Sequence, residues 1–361
     1  MQLPSRIEKL FANLFLILIS IFLMLVISEL LMKFFFFHPS YNLRAPNMLN
    51  GHGAELKVEL IPDNLYEIQP NKRLGINKDG FRDNDFSVEK LGRKRIVFLG
   101  DSFVMGLNVK SEETMPKVLE KQLKGWEVDN MGVVGFGPDQ ELNVLEKYGF
   151  GLKPDMVVEA ICSLNDSGDI YKDGIYTLTD GVLEVAKNNP VKSMVFSSFS
   201  SIINQINFIK NKDYILGSLD PLLFDDTYDL TWMKYRDSEE SNYKFALMKD
   251  ILGKMGDEIK SKNIDFLAII IPSYNNMCDD SSFKENKVDP NSYFTNENVY
   301  QQIFETEKIP YINLVPLFLK LDKPIRCSLY DAGNAHLSPL GNWYAAQIIS
   351  NYMESRGQAK N

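Results

Sequence analysis

The chain has 361 residues and a formal net charge of −9 at pH 7. Its 39 Lys and Arg residues are scattered among 48 Asp and Glu residues, so the basic patch of a nucleic-acid-binding protein is absent and nucleic acid is excluded as a partner. A chain of this length can form one large α/β domain with additional segments.

The first predicted element is a membrane-spanning helix. Residues 10–27 are apolar apart from Asn13 and Ser20, and a helix of this length is roughly 30 Å long, close to the thickness of the hydrocarbon core of a bilayer. The apolar run continues into Leu, Met, Lys and Phe residues, whereas a cleaved signal peptide ends in a site of small residues. Residues 1–37 are therefore predicted to be a transmembrane anchor, and a buried helix of a soluble domain is the alternative.

The charges beside this segment indicate its orientation. Arg6 and Lys9 precede the apolar run, while Lys33 and Arg44 follow it, so the positive-inside rule gives only a small preference. We expect the N-terminus on the cytoplasmic side and the rest of the chain outside the cytoplasmic membrane.

The next segment, residues 38–92, is polar and rich in Asn, Pro, Gly and Asp. Turn-forming residues with little periodicity are typical of irregular structure. We therefore expect a polar connector that packs on the main domain.

Short apolar runs alternate with longer amphipathic segments over residues 93–355. The strand-like runs cover 96–100, 127–133, 155–163, 266–272 and 310–314, and the helical segments cover 113–124, 139–149, 241–262, 293–306 and 338–354. This alternation predicts an α/β domain whose parallel sheet is covered by helices on both faces.

An insertion at residues 169–236 interrupts the alternation. Phe and Ile residues at helical spacing between positions 196 and 209 indicate a helix, which either packs on the domain or forms a lid over a site.

The three cysteines, Cys162, Cys278 and Cys327, lack the C-x-x-C spacing of a zinc or redox motif. Cys278 and Cys327 follow predicted strands and lie in loops, whereas Cys162 lies within an apolar strand. An extracytoplasmic compartment permits a disulfide, and we predict one between Cys278 and Cys327. Three free thiols are the alternative.

Ser102 is a candidate nucleophile because it follows the apolar run 96–100 within Gly-Asp-Ser. A serine hydroxyl attacks only when a base removes its proton. Serine and aspartate are also common at helix N-termini, so this tripeptide alone also fits a helix cap.

Two further segments follow strands and could supply hydrogen-bond donors to a developing oxyanion. Glycines between Gly132 and Gly137 let a backbone N–H approach a ligand closely, and Asn165 ends the next strand with an amide. Each is also compatible with an ordinary turn. The carboxyl ends of parallel strands meet at one edge of a sheet, so we expect these segments to converge with Ser102.

His336 is the candidate base. Of the three histidines, His38 lies at the predicted membrane interface and His52 lies in the connector, which leaves His336 just before a predicted helix.

These motifs, Gly-Asp-Ser, Asn-x-Gly-x-x-Gly, Asn-Asp and His-Leu-Ser-x-x-Gly in this order, resemble the SGNH/GDSL hydrolase superfamily. The resemblance implies a flavodoxin-like three-layer α/β/α sandwich without a metal or cofactor. It implies Ser102 as the nucleophile and His336 as the base. It also implies an oxyanion hole made by the N–H groups of Ser102 and Gly135 and the side chain of Asn165.

One position departs from the pattern of this superfamily. The Asp expected three residues before the histidine is replaced by Gly333, and Asp331 lies five residues before His336. Asp331 is the candidate acid that orients the base. A Ser-His dyad, or a histidine oriented by a backbone carbonyl, is the alternative.

The resemblance and the predicted anchor together indicate a membrane-anchored ester hydrolase. We expect acetyl or other acyl esters of envelope glycans or lipids as substrates. An O-acyltransferase with the same residues and a non-catalytic envelope assembly protein are the alternatives. The chain contains no G-x-S-x-G, P-loop or H-E-x-x-H motif, which excludes those classes of site.

Overall fold

The computed structural model describes five long stretches of the chain and several short ones. These are 75–107, 109–173, 175–185, 229–331 and 335–358, together with 13–17, 19–20, 24, 40–44, 55–61 and 65–68. The chain divides into two compact units, Met1–Tyr41 with Lys187–Phe224 and Asn42–Ala186 with Asp225–Asn361.

In the first unit, residues 13–17, 19–20 and 24 are helical and exposed. A search of the described residues finds no helix that is both long and apolar enough to cross a membrane. Most of the predicted anchor over residues 1–37 lies outside the described residues, as do the predicted helix at 196–209 and most of the insertion.

A small sheet lies in the segment 38–92, which we expected to be irregular. Strands β1 (Ser40–Arg44), β2 (Glu55–Ile61) and β3 (Leu65–Ile68) form it in that order, and β2 and β3 are antiparallel. The charged residues of β2 alternate with Leu56, Val58 and Leu60. This alternation is a strand signal that the overall composition of the segment concealed.

The end of this segment packs on the main domain. Arg82 donates hydrogen bonds to the carbonyls of Gly106 and Val109. The carboxylate of Asp83 accepts from the N–H of Asn130 at 2.9 Å and pairs with the Lys117 ammonium at 2.8 Å. Two buried side chains thus connect this segment to the loop at Gly106–Val109, to Lys117 and to the end of the strand at Asn130.

The central sheet has five strands. They are β4 (Lys94–Gly100), β5 (Trp126–Asn130), β6 (Met156–Cys162), β9 (Asp265–Ile271) and β10 (Tyr311–Asn313). All neighbouring pairs are parallel, and the spatial order is β10-β9-β6-β4-β5. Counted along the chain this order is 2-1-3-4-5, the flavodoxin-like arrangement. The predicted parallel α/β fold is confirmed.

Helices flank the sheet. They are α1 (Ser102–Met105), α2 (Met115–Gln122), α3 (Pro138–Val144), α4 (Asp166–Asp173), α5 (Thr231–Lys234), α6 (Glu239–Ser261), α7 (Tyr274–Met277), α8 (Ser281–Glu285), α9 (Thr295–Glu307), α10 (Val315–Leu319), α11 (Lys323–Ser328) and α12 (Pro339–Ser355). Helices α2 and α12 pack on each other, while α6 packs on α3 and α9. Strand β6 is buried along its whole length, as expected for a strand between two helical layers.

The insertion begins with a hairpin. Strands β7 (Tyr176–Thr179) and β8 (Val182–Val185) are antiparallel and are joined by Asp180 and Gly181, which both have positive φ. Two such residues form the tight turn that suits the twist of a hairpin. The chain is described again from Asp229 onward.

The predicted disulfide is confirmed. Cys278 and Cys327 are bonded, with their Cα atoms 5.4 Å apart, and Cys162 is a buried free thiol on β6. The disulfide connects the end of α7 to α11, which leads into the segment that carries His336.

Candidate active site

Ser102 lies at a sharp turn between β4 and α1. Gly100 has a φ of +150°, and a Cβ at this position would lie 2.4 Å from a methyl group of Val104. The Asp101 carboxylate accepts a hydrogen bond from the N–H of Phe103 at 2.8 Å and caps α1. Glycine at position 100 therefore allows the turn that places Ser102 past the end of the strand.

The structure brings Ser102 and His336 together across 234 residues. The His336 Nε2 atom lies 2.7 Å from the Ser102 Oγ atom. This distance is within the range that allows a base to take the proton of a serine nucleophile.

The segment carrying His336 is a short loop closed by main-chain contacts. Tyr330 and Leu337 form an antiparallel bridge. The Asp331 N–H donates to the His336 carbonyl at 2.8 Å, and the Ala335 N–H donates to the Asp331 carbonyl at 2.7 Å. Asp331 is exposed, and Gly333 lies outside the described residues. The structure thus places Asp331 beside the main chain of His336.

Phe103 packs against the base. Its ring centroid lies 4.7 Å from that of His336, at an interplanar angle of 31°, and Phe103 is buried. The sequence gives no sign of this contact, because Phe103 adjoins Ser102 but is remote from His336 in the chain. An aromatic face at this distance restricts the orientation of the imidazole.

The glycine segment after β5 packs on the turn that carries Ser102. The Asn130 amide donates to the Val104 carbonyl at 3.0 Å and accepts from the N–H of Gly132 at 3.0 Å. A Cβ on Gly132 would lie 2.4 Å from the backbone nitrogen of Met105. Gly135, the predicted oxyanion donor, has a φ of +72°. Glycine is needed at position 132 for close approach and is favoured at position 135 by its left-handed backbone.

Asn165 lies directly before α4, and its carbonyl accepts from the N–H groups of Gly168 and Asp169. Its amide nitrogen donates to the carboxylate of Asp101 at 2.9 Å and to that of Asp169 at 3.2 Å. The structure therefore brings Asn165 next to the residue that precedes Ser102. Asp169 was not identified from the sequence, because its i, i+4 spacing from Asn165 indicates a contact only once the helix α4 is known.

These residues surround the point at which the strand order reverses. Ser102 follows β4 and Asn165 follows β6, and these strands are neighbours. From β4 the chain continues to β5 on one side of the sheet, and from β6 it continues to β9 on the other side. Open α/β sheets bind ligands at such a point.

The segment from Ser163 to Ser167, which includes the first turn of α4, is held in place by buried polar groups. The Ser163 hydroxyl donates to Glu297 at 2.7 Å, and the Ser167 hydroxyl donates to Asp229 at 2.8 Å. Burial raises the pKa of Glu297 to about 7. These contacts fix the position of Asn165 relative to the sheet.

Two carboxyl groups are buried together near the site. Glu141 on α3 and Glu159 on β6 are fully buried, and within the described part of the chain no group other than these two carboxyls is placed to donate to their oxygens. Burial raises the pKa of Glu159 to about 7, while burial and the nearby Glu159 carboxyl raise the pKa of Glu141 well above its usual value. Two carboxyl groups in contact can share a proton, so we assign the proton to Glu141, which donates to Glu159.

Replacing Glu159 by glutamine is expected to stabilise the protein at high pH. As the pH rises from about 4.5, the unfolded state loses the proton of this group first, so wild-type stability falls until the pH passes the folded pKa of about 7. Glutamine resembles the protonated form, and we expect a gain of about 3 kcal/mol at about pH 8 and of less than about 1 kcal/mol at about pH 5. Urea unfolding at both pH values measures the difference. The control is Glu112→Gln at an exposed site, and a Glu159→Gln gain of equal size at both pH values would contradict the prediction.

No set of three or more His, Cys, Asp or Glu side chains within the described ranges is arranged to hold a metal ion. The groups that could act on a substrate here are a hydroxyl, an imidazole, carboxylates, an amide and backbone N–H groups.

The resemblance to the SGNH/GDSL hydrolase superfamily thus extends from the motifs to the fold. The four motifs lie at the carboxyl edge of a sheet in 2-1-3-4-5 order, and the serine and histidine are in hydrogen-bond contact.

No protein-family model and no curated protein matches the sequence. Among solved structures, the chain is similar to a lipase/acylhydrolase from Enterococcus faecalis, with 15% identity over 73% of this chain and 96% of that one and a TM-score of 0.42. An acetyl xylan esterase matches with 14% identity over 72% of this chain and 98% of that one and a TM-score of 0.42. A GDSL-like lipase from Bacteroides thetaiotaomicron matches with 14% identity over 75% of this chain and 93% of that one and a TM-score of 0.39.

Proposed function

We propose that the protein is a serine ester hydrolase anchored to the membrane by its N-terminal segment, with its catalytic domain outside the cytoplasm. The observation that carries the enzymatic part is the 2.7 Å contact between the His336 Nε2 atom and the Ser102 Oγ atom, at the carboxyl edge of a parallel sheet. The predicted anchor over residues 1–37 and the disulfide between Cys278 and Cys327 support the location, since disulfides persist in oxidising compartments.

In the proposed mechanism, His336 takes the proton of Ser102 as the serine oxygen attacks the carbonyl carbon of the ester. The N–H groups of Ser102 and Gly135 and the amide of Asn165 donate to the oxyanion of the tetrahedral intermediate. The protonated imidazole gives its proton to the departing alcohol, which leaves an acyl group on Ser102. His336 then takes a proton from water as the water oxygen attacks the acyl carbon. The imidazolium returns this proton to the Ser102 oxygen as the bond between that oxygen and the acyl carbon breaks, which releases the acid and restores the serine.

Asp331 is the proposed third member of the site. A carboxylate near the base stabilises the imidazolium that forms during each step and selects its orientation. The main-chain contacts between Asp331 and His336 support this role, and the stacking of Phe103 on His336 gives the ring a second constraint.

The proposed substrates are acetyl or other acyl esters of envelope glycans or lipids. A catalytic domain anchored to the outer face of the cytoplasmic membrane would meet such esters directly. The net charge of −9 disfavours strongly anionic polymers through like-charge repulsion.

The test uses wild type, Ser102→Ala and the control Ser281→Ala, which changes an exposed serine on α8. We expect wild type and Ser281→Ala to hydrolyse p-nitrophenyl acetate and to react with a serine-directed phosphonate, with the label at residue 102 by mass spectrometry. Ser102→Ala is expected to lose both. Equal hydrolysis and labelling in wild type and Ser102→Ala would refute the enzymatic function and leave a non-catalytic binding protein.

A further inference from the structure

The amide of Asn165 lies between two carboxylates. Its nitrogen donates to Asp101 at 2.9 Å and to Asp169 at 3.2 Å. A side-chain amide carries two hydrogens, so both are directed at carboxylate oxygens in this structure. An oxyanion that binds Asn165 must therefore replace one of the two carboxylates.

The two carboxylates differ in burial and in their distance from the amide. Asp101 is only 1% exposed, and its second oxygen accepts from the N–H of Phe103 at 2.8 Å. Asp169 is partly exposed and makes the longer contact. Asp169 is therefore the carboxylate that can release the amide of Asn165.

Asp169 also borders the glycine segment that carries the other proposed oxyanion donor. A Cβ added to Gly137 would lie 3.2 Å from the Asp169 Cβ atom, two residues after Gly135. The carboxylate thus lies beside the space in which the ester carbonyl and its neighbouring groups would bind. A negative charge here opposes the charge that develops on the oxyanion, because both lie in a site of lowered dielectric constant.

We propose that Asp169 is a specificity-determining residue that selects acyl esters with a free hydroxyl group beside the ester. This inference rests on the proposed function. In the resting protein Asp169 holds the amide of Asn165, and a substrate hydroxyl that donates to Asp169 replaces this contact and frees Asn165 for the oxyanion. A hydroxyl bound to a carboxylate forms a strong charge-assisted hydrogen bond, so the exchange preserves the hydrogen bonding of Asp169. Esters of polyols and sugars carry such a hydroxyl, and simple alkyl esters do not.

The test compares two esters that differ only in this group, 2-hydroxyethyl acetate and propyl acetate. We expect wild type to prefer the hydroxyl-bearing ester in kcat/KM by about 10-fold or more, the size of one hydrogen bond to a charged group. Asp169→Asn removes the charge with little change in shape, and Asp169→Ala removes the competing oxygens. In both variants we expect kcat for propyl acetate to rise and the preference to fall toward unity. Asp237→Asn, at an exposed site, is the control and is expected to retain the wild-type ratio.

The outcomes separate this inference from the proposed function. If Ser102→Ala and wild type behave alike with both esters, the proposed function fails. If hydrolysis depends on Ser102 but the ratio of the two esters is the same in wild type and both Asp169 variants, the specificity role alone is refuted. A loss of kcat for both esters by the same factor in Asp169→Asn would also overturn it, because that pattern indicates a residue that only orients Asn165.

Discussion

Replacing His336 by glutamine is expected to lower kcat/KM for p-nitrophenyl acetate by about 10³-fold or more. Glutamine is polar and of similar length, but it cannot accept the proton that Ser102 loses as it attacks. The 2.7 Å contact between His336 and Ser102 is the route of that transfer. Steady-state kinetics and the rate of phosphonate labelling at Ser102 measure the effect, with circular dichroism to confirm that the variant is folded.

Asp331→Asn is the companion variant. If Asp331 orients the imidazole and stabilises its charged form, its loss lowers kcat by about 10²-fold or more while KM changes little. A loss below about threefold would leave a Ser-His dyad, in which Phe103 and the main chain alone orient the ring. Labelling of His336→Gln at a rate near that of wild type would contradict the assignment of the base itself.

Much of the fold could be predicted because its sheet is buried on both faces. A parallel strand between two helical layers has a short, nearly continuous apolar sequence. In the helices between such strands, apolar residues recur about every 3.6 positions. The segments at 96–100 and 155–163 were therefore located to within two residues. The strand order within the sheet came from the family resemblance, because apolar runs carry no information about which strands are neighbours.

The antiparallel sheet before the domain was missed for a related physical reason. Its strand β2 alternates apolar and charged residues, and this short-range pattern is easily outweighed by a polar composition over 55 positions. Glu159 could be recognised in the sequence, but its partner could not. A glutamate within the apolar run of β6 was visible in the sequence, but only the structure shows that Glu141 from α3 reaches it.

In the candidate site too, residues within short motifs could be predicted, whereas residues whose roles depend on contacts between distant segments could not. Ser102 and His336 were found because each lies in a short motif. Phe103 and Asp169 were not, because their roles depend on contacts with His336 and Asn165 that form only in the folded chain. Gly333 stands where the superfamily pattern has an Asp, so the sequence motif does not identify the acid. The structure adds that Asp331 contacts the main chain of His336.

Replacing Gly341 by alanine is expected to destabilise the protein strongly and to reduce activity. Gly341 lies in the first turn of α12, and a Cβ at this position would lie 2.0 Å from the carbonyl oxygen of Leu329. This oxygen also accepts from the N–H of Ser338 at 2.8 Å, so Leu329 and Ser338 bracket the loop that carries His336. Relief of the clash requires movement of backbone rather than of a side chain. We expect a loss of about 3 kcal/mol in the free energy of unfolding, the upper part of the range for overpacking.

The matched control is Gly256→Ala on α6, where the nearest atom to an added Cβ is a methyl carbon of Ile309 at an ordinary 3.5 Å. Alanine favours a helix over glycine by about 0.5–1 kcal/mol, so this substitution is expected to stabilise the protein. We also expect Gly341→Ala to lose activity and Gly256→Ala to keep it, since a shift of about 1 Å in a catalytic group can lower the rate by about 10²-fold. If urea unfolding gave Gly341→Ala the same stability as Gly256→Ala, the His336 loop could move without cost. In that case the contact between His336 and Ser102 would depend on local contacts such as the stacking of Phe103 rather than on the packing of α12.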